Sequence, residues 1–254
     1  MAEDRVYGRN PVLALLRSGG RRADEIAVLA GGRGPLGEVV ALARRAGVKV
    51  SFRTRDQLTA MAGSAEHQGV VARVSSAEYI DVEDLLAEPV ERGQPPFYLV
   101  LDQIQDPRNL GAILRTAEAF GVHGVVIPKH HAVGLTDAAA RTAMGAIERV
   151  PVARATNLVS ALERVKESGA WVYGTSASDG VAPWAADLRG PVCLVLGSEG
   201  EGLRPLVARA CDAMLTIPMG GAADSLNVAA ATAVLCYEVA RQRHQSLDLS
   251  KSRH

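Results

Sequence analysis

Cysteine is scarce in this sequence. Cys193, Cys211 and Cys236 are odd in number, widely spaced and form no C-x-x-C. That argues against a disulfide framework or a structural zinc site, and it fits a reducing, cytoplasmic setting. Aromatics are few as well, with three Phe, two Trp and five Tyr. The apolar residues are mostly Ala, Val and Leu, as in an α/β protein rather than a β-sandwich. Every apolar run is broken by a charge, Gly or Pro before it reaches membrane-spanning length. The opening MAEDRVYGRN is charged and has no apolar stretch, so no signal peptide is expected there.

Net charge is also missing, with 28 Lys and Arg against 28 Asp and Glu. The balance is uneven along the chain. Residues 1–75 carry twelve basic and seven acidic side chains, 76–96 one and six, and 97–254 fifteen of each. A basic front segment beside an acidic connector suits a polyanion partner for the former, although solvated surface charge needs no function. With so few aromatics, recognition of RNA by stacking splayed bases on a sheet is not expected.

The hydrophobic pattern alternates strand and helix throughout. In the front segment Asn10 and Pro11 read as the cap and first turn of a helix that stops at Gly19–Gly20. Short strands IAVLA (26–30), VKVSF (48–52) and GVVARV (69–74) follow, with a helix over PLGEVVALARRAG and another capped by Thr54. We therefore expect a small α/β domain over 1–75, an acidic linker over 76–96 closed by Pro95–Pro96, and a larger domain over 97–254. In the latter, the apolar strands FYLVLD, GVVIP, WVYGT, PVCLVLG and AMLTIP alternate with helices. A long helix from about Leu226 to Arg243 closes the pattern. Such strands imply a mainly parallel sheet covered on both faces.

Three loops after strands carry unusual polar residues, and ligands bind at strand C-termini in such sheets. In LDQIQDPRNLGAILRTAEAFG (101–121), Asp106 caps and Pro107 starts a helix. Asn109 lies in its first turn and Arg115 follows, where by itself a pair with Glu118 on a solvated face is the favoured reading. The second loop, LVLGSEGEGL (194–203), looks like a phosphate cradle but has Glu199 where G-x-G-x-x-G needs glycine, and no Gly-Lys-Ser/Thr follows. Its glycines would let a flat ligand approach the backbone, while its carboxylates repel phosphate. A cationic nucleoside cofactor without phosphate, such as S-adenosylmethionine (AdoMet), resolves the conflict. In the third, LTIPMGGAADSLNVAAATAVLCYEVARQR (215–243), Ser225 reads as the cap of a buried helix with Asn227 in its first turn.

Together NLGAILRTAEAFG (109–121), LVLGSEGEGL (194–203) and IPM…SLNVAAA (217–231) resemble, in order and spacing, the three motifs of the SpoU/TrmH branch of the SPOUT RNA methyltransferases. YGRNPVLALL (7–16) and HQGVVARV (67–74) resemble that family's substrate-binding domain. The resemblance implies an α/β catalytic domain with a C-terminal trefoil knot that holds AdoMet, a homodimer with sites at its interface, and no metal. The implied reaction is methyl transfer to a ribose 2′-hydroxyl. Within the branch the layout is most similar to the bacterial 23S rRNA (guanosine-2'-O-)-methyltransferases, so the implied partner is 23S rRNA, with no membrane or DNA.

By motif position the resemblance makes Asn109, Arg115, Glu199, Ser225 and Asn227 the catalytic set. It sets Thr175, Gly197, Gly200, Ile217, Pro218, Met219, Leu226 and Asn227 against AdoMet, and Arg9, Asn10, His67, Gln68 and Arg115 against RNA. One departure is Ala222–Ala223–Asp224–Ser225, where close relatives tend to have Ser-Val-Ser-Ser. Because a guanidinium holds its proton, Arg115 is read as a clamp on the target phosphate that stabilises developing alkoxide, not as a base. The alternatives are a tRNA ribose methyltransferase, an antibiotic-resistance rRNA methyltransferase and a non-catalytic RNA-binding assembly protein. An NAD-type oxidoreductase is disfavoured by the missing glycine.

Overall fold

The computed structural model describes residues 4–18, 23–32, 34–74, 79–91, 95–130, 132–221 and 225–251. The chain divides into two compact units, one of Met1–Glu78 with Leu135–Arg149 and one of Tyr79–Gly134 with Val150–His254.

In the first unit, β1 (Asp4–Tyr7), α1 (Arg9–Ser18), β2 (Ala23–Leu29), α2 (Pro35–Arg45), β3 (Lys49–Arg53), α3 (Arg55–Ala62) and β4 (Val70–Val74) follow one another. The strands form a sheet in the order β1-β4-β2-β3, with only β2 and β3 parallel. The period-2 pattern sends Ile26, Val28, Val70 and Ala72 to one face, where Val12 and Leu15 of α1 and Val39 and Ala43 of α2 cover them. Ala27, Val71 and Tyr7 point the other way, onto Leu58 of α3. Thr54 caps α3 as expected, and Gln57 answers it in a capping box. Helix α1 begins at Arg9, so Asn10 sits inside its first turn instead of capping it; Gly19–Gly20 lie outside the described residues.

The expected linker is structured. Within 76–96, α4 (Val82–Glu91) buries Val82, Leu85 and Leu86, and its Leu85 is completely enclosed in the core of the second unit. That unit continues through β5 (Phe97–Leu101), α5 (Pro107–Ala119) and β6 (Gly124–Pro128). The chain then leaves it: α6 (Asp137–Ala143) and a 3-10 turn at Ala146–Glu148 belong to the first unit. There Arg141 hydrogen-bonds the Tyr7 hydroxyl and lies 5.2 Å from the centre of its ring. The second unit resumes with β7 (Val152–Ala155), α7 (Leu158–Glu167), β8 (Trp171–Thr175), β9 (Val192–Leu196), α8 (Pro205–Arg209), β10 (Ala213–Leu215) and α9 (Val228–Lys251).

Its six strands are all parallel, in the order β10-β8-β9-β5-β6-β7. Every residue of β5, β6 and β9 is buried, as a sheet covered on both faces requires. Tyr98, Val100, Val126 and Val195 share one core with α4, α7 and Val207 of α8, while α5 and α9 pack together on the other side. The chain winds outward from β5 to β7, returns to β8 and inserts β9 beside β5. The reversal falls between β5 and β9, where α/β sheets form their ligand crevice. Among the described residues no helix is long and apolar enough to cross a membrane.

Candidate active site

The loop after β5 turns at once into a helix. Asp106 accepts the Arg108 backbone N–H at 2.8 Å and Pro107 supplies the first position, which fixes the entry angle of α5. Asn109 then projects from the first turn. The loop after β9 closes on itself, with Ser198 and Gly202 exchanging both backbone hydrogen bonds at 3.1 Å. A Cβ on Gly197 would lie 2.1 Å from the Gly202 carbonyl carbon, so only glycine lets this loop close. Gly200 and Gly202 have φ of +91° and +70°. The glycines thus serve first to fold the loop tightly, whereas sequence suggested that they clear room for a ligand.

This loop presents Glu199 to the other two motifs. Its Oε1 accepts from Asn109 Nδ2 at 2.9 Å and from Asn227 Nδ2 at 2.5 Å, and Asn227 Nδ2 also donates to Asn109 Oδ1 at 3.0 Å. Asn227 Oδ1 accepts from the backbone N–H groups of Ala229 and Ala230 at 3.0 and 3.4 Å. Asn227, and not Ser225, therefore caps α9, and one amide both starts the helix and ties it to the loop. Three segments up to 118 residues apart meet in one hydrogen-bonded junction.

Beside the junction lies a cavity of about 560 Å³ over the C-terminal ends of β8, β9 and β10. Thr175, Gly197, Gly200, Ile217, Met219 and Leu226 line it, together with Glu199 and Ser225. Pro218 and Asn227 do not, and Thr175 turns its hydroxyl to the Val195 carbonyl at 3.1 Å. Glu199 and Glu201 are its charged lining residues, and no cation lines it among the described residues. Arg115 is exposed on α5 and lines no part of this cavity. The Ala222–Asp224 departure lies outside the described residues.

One anchoring pair escaped sequence reasoning. Asp102, fully buried after β5, accepts from Arg204 Nε at 2.8 Å and from the Arg204 backbone N–H at 2.9 Å. It pins the far end of the glycine loop over β5. An acid directly after five apolar residues was the available signal.

In the first unit the structure gathers Arg9, Asn10 and Gln68 on the surface, with the Arg9 backbone N–H donating to Gln68 Oε1 at 3.1 Å. His67 is withdrawn from that surface, at 2% exposure. Its Nδ1 accepts the Gly69 N–H at 3.0 Å, so Nε2 carries the proton toward Thr59 Oγ1 at 3.2 Å. Burial, with the charge of Arg55 in addition, lowers its pKa below the usual 6.5 and keeps it neutral. It staples the loop that presents Gln68. Burial also pushes the Cys211 and Cys236 thiols up to about 12, so neither is a thiolate nucleophile at neutral pH. No group able to hold a metal occurs among the described residues.

The SpoU rRNA methylase family model matches residues 96–237, and a model of RNA 2'-O ribose methyltransferase substrate-binding domains matches 5–80. A putative TrmH family tRNA/rRNA methyltransferase of Bacillus subtilis is 43% identical over 241 residues, covering 95% of this chain and 96% of that one. The 23S rRNA (guanosine-2'-O-)-methyltransferase of Shewanella oneidensis is 39% identical over 245 residues, covering 95% and 98%. Among solved structures, the AdoMet-bound rRNA methyltransferase of Sinorhizobium meliloti superposes with a TM-score of 0.80 at 27% identity, covering 94% of this chain and 87% of that one. With both units matched and Asn109, Glu199 and Asn227 joined beside the cavity, the chain belongs to the SpoU rRNA methylase family.

Proposed function

We propose that this protein transfers the methyl group of AdoMet to a ribose 2′-hydroxyl of a guanosine in 23S rRNA, as a cytoplasmic homodimer. The observation that carries this reading is the Asn109–Glu199–Asn227 junction at the rim of a cavity lined by carboxylates and by no described cation. A cavity of that sign suits a sulfonium nucleoside and disfavours a phosphate-bearing one, and about 560 Å³ is ample for it. When bound, AdoMet supplies an electrophilic methyl on a cationic sulfur. Gly200, Ile217, Met219 and Leu226 would hold it, with Thr175 and Gly197 closing the floor.

The chain's own work is positioning and charge. The junction fixes where the glycine loop and α9 stand relative to α5, which sets the mouth at which a ribose must arrive. Arg115 clamps the target phosphate and stabilises the developing alkoxide, its fork suiting a phosphate. Its exposure outside its own cavity supports a site completed across a homodimer interface. The return of the chain from β10 to the Glu199 loop through Asn227 supports a knotted C-terminal segment. The front unit grips RNA through exposed Arg9, Asn10 and Gln68, and this binding weakens with salt.

Labelled AdoMet incubated separately with unmodified 23S rRNA and unmodified tRNA tests this reading, with the product mapped by alkaline resistance at the modified ribose. Label confined to 23S rRNA, at a guanosine, is expected. Label confined to tRNA would move the substrate, and AdoMet binding without label on either RNA would overturn the assignment of both.

A further inference from the structure

A second cavity, of about 620 Å³, opens on the same C-terminal edge of the sheet, over β6 and β7. Its walls come from Pro128 at the end of β6 and His130 after it, Thr156 to Val159 at the entry of α7, and Arg204 to Val207 at the entry of α8. Resting on the function proposed above, we propose that this cavity is an RNA subsite that takes a nucleotide flanking the one to be methylated.

The first argument is sign. No carboxylate lines this cavity among the described residues, in contrast to its neighbour. The second is the donor set. Asp102 grips Arg204 by Nε and the backbone N–H, which fixes the guanidinium, and no hydrogen bond engages its two terminal nitrogens among the described residues. Asn157 spends Oδ1 on the Val159 and Ser160 N–H groups at the start of α7 and retains its Nδ2 donors. Donors held in place around a recess match the acceptor-rich phosphate, sugar and base edges of a nucleotide. The third is shape and polarity. Pro128, Leu158, Pro205 and Leu206 offer apolar walls for a flat base, and Leu206 is 67% exposed. RNA is read where unstacked bases are splayed into such sites.

Location makes the occupant a flanking nucleotide. Ser198 to Leu203 line the AdoMet cavity and Arg204 to Val207 line this one, and the segment is pinned between the two stretches where Arg204 meets Asp102. A strand of RNA whose ribose reaches Glu199 thus has a neighbouring recess one loop away. Because Asp102 neutralises the inner edge of Arg204, the subsite offers directed donors more than free charge. It then adds affinity with little added salt dependence.

The test uses Leu206→Glu, which sets a carboxylate at the mouth, and His130→Ala on the opposite wall, both in the full-length protein with a 23S rRNA fragment spanning the methylated site. For Leu206→Glu the KM for the fragment and its Kd by filter binding should rise by about tenfold, with AdoMet affinity and thermal stability unchanged. His130→Ala should give a smaller rise in the same direction. RNA Kd and KM unchanged to within about twofold in both variants would overturn the subsite. The filter-binding Kd needs no turnover. If the wild-type protein methylates no RNA, the proposed function fails, while a loss of RNA affinity in Leu206→Glu still supports the subsite and its absence still overturns it.

Discussion

The two cavities on the edge of one parallel sheet are close in size and differ in the polar groups that line them. One is lined by Glu199 and Glu201 and no described cation, the other by Arg204 and no described carboxylate. The same loop walls both. One loop therefore presents carboxylates to one recess and directed hydrogen-bond donors to the other. The glycine-rich stretch that looked like a phosphate loop is the acidic side of this division. Its glycines are occupied in closing the loop, as the 2.1 Å approach at Gly197 shows.

The sharpest way to break the contrast is Gly197→Ala. The added methyl meets Gly202 backbone, which cannot move aside, so the loop must open and the first cavity lose its wall. AdoMet affinity and methyl transfer should fall by about two orders of magnitude or more, read by calorimetry and labelled transfer. The second largest effect separates the two duties of Asn227. Asn227→Asp keeps the acceptor for the Ala229 and Ala230 N–H groups but turns the donor to Glu199 into a repelling carboxylate. Turnover should drop by about tenfold or more with the melting temperature nearly kept. Asn227→Ala should lose turnover and also about 1 kcal/mol of stability with the cap.

The smallest effect lies in the first unit and is a control for both. His67 is buried neutral with its pKa below 6.5. As pH falls through 6.5 the unfolded chain takes up a proton that the folded unit refuses, so the stability from this group is whole above 6.5. It is lost as pH falls toward the lowered folded value. Urea midpoints at about pH 7.5 and about pH 5.5 should differ by more in the wild type than in His67→Gln, by up to about 1 kcal/mol.

Much of the second unit was legible because its strands are apolar at every position and α5 announces itself with Asp106 and Pro107. What was hidden had weak or misleading local signals. Helix α4 carries Val82, Leu85 and Leu86 at helical spacing, but its acidic, weakly helical sequence closed by Pro95–Pro96 made it read as a linker. Strand β7 is four residues long, too short for a pattern, and gains its place by pairing with β6. Asn227 and Ser225 were equally good caps by residue type. The choice between them depends on Glu199, 28 positions away. His67 was set against RNA by its place in the HQG motif, and only the fold reveals the Thr59 and Gly69 partners of its buried ring.

The detour of residues 135–149 changes what it means for this chain to have two parts. The polypeptide passes between the units after Glu78, again after Gly134 and again after Arg149. A gene cut at the first crossing would yield a front fragment without α6, stripped of the arginine that lies over Tyr7, and a remainder carrying an orphaned helix. Exchange of the RNA-gripping half between relatives by a single recombination event is thereby penalised. Any exchange of one unit has to respect all three crossings.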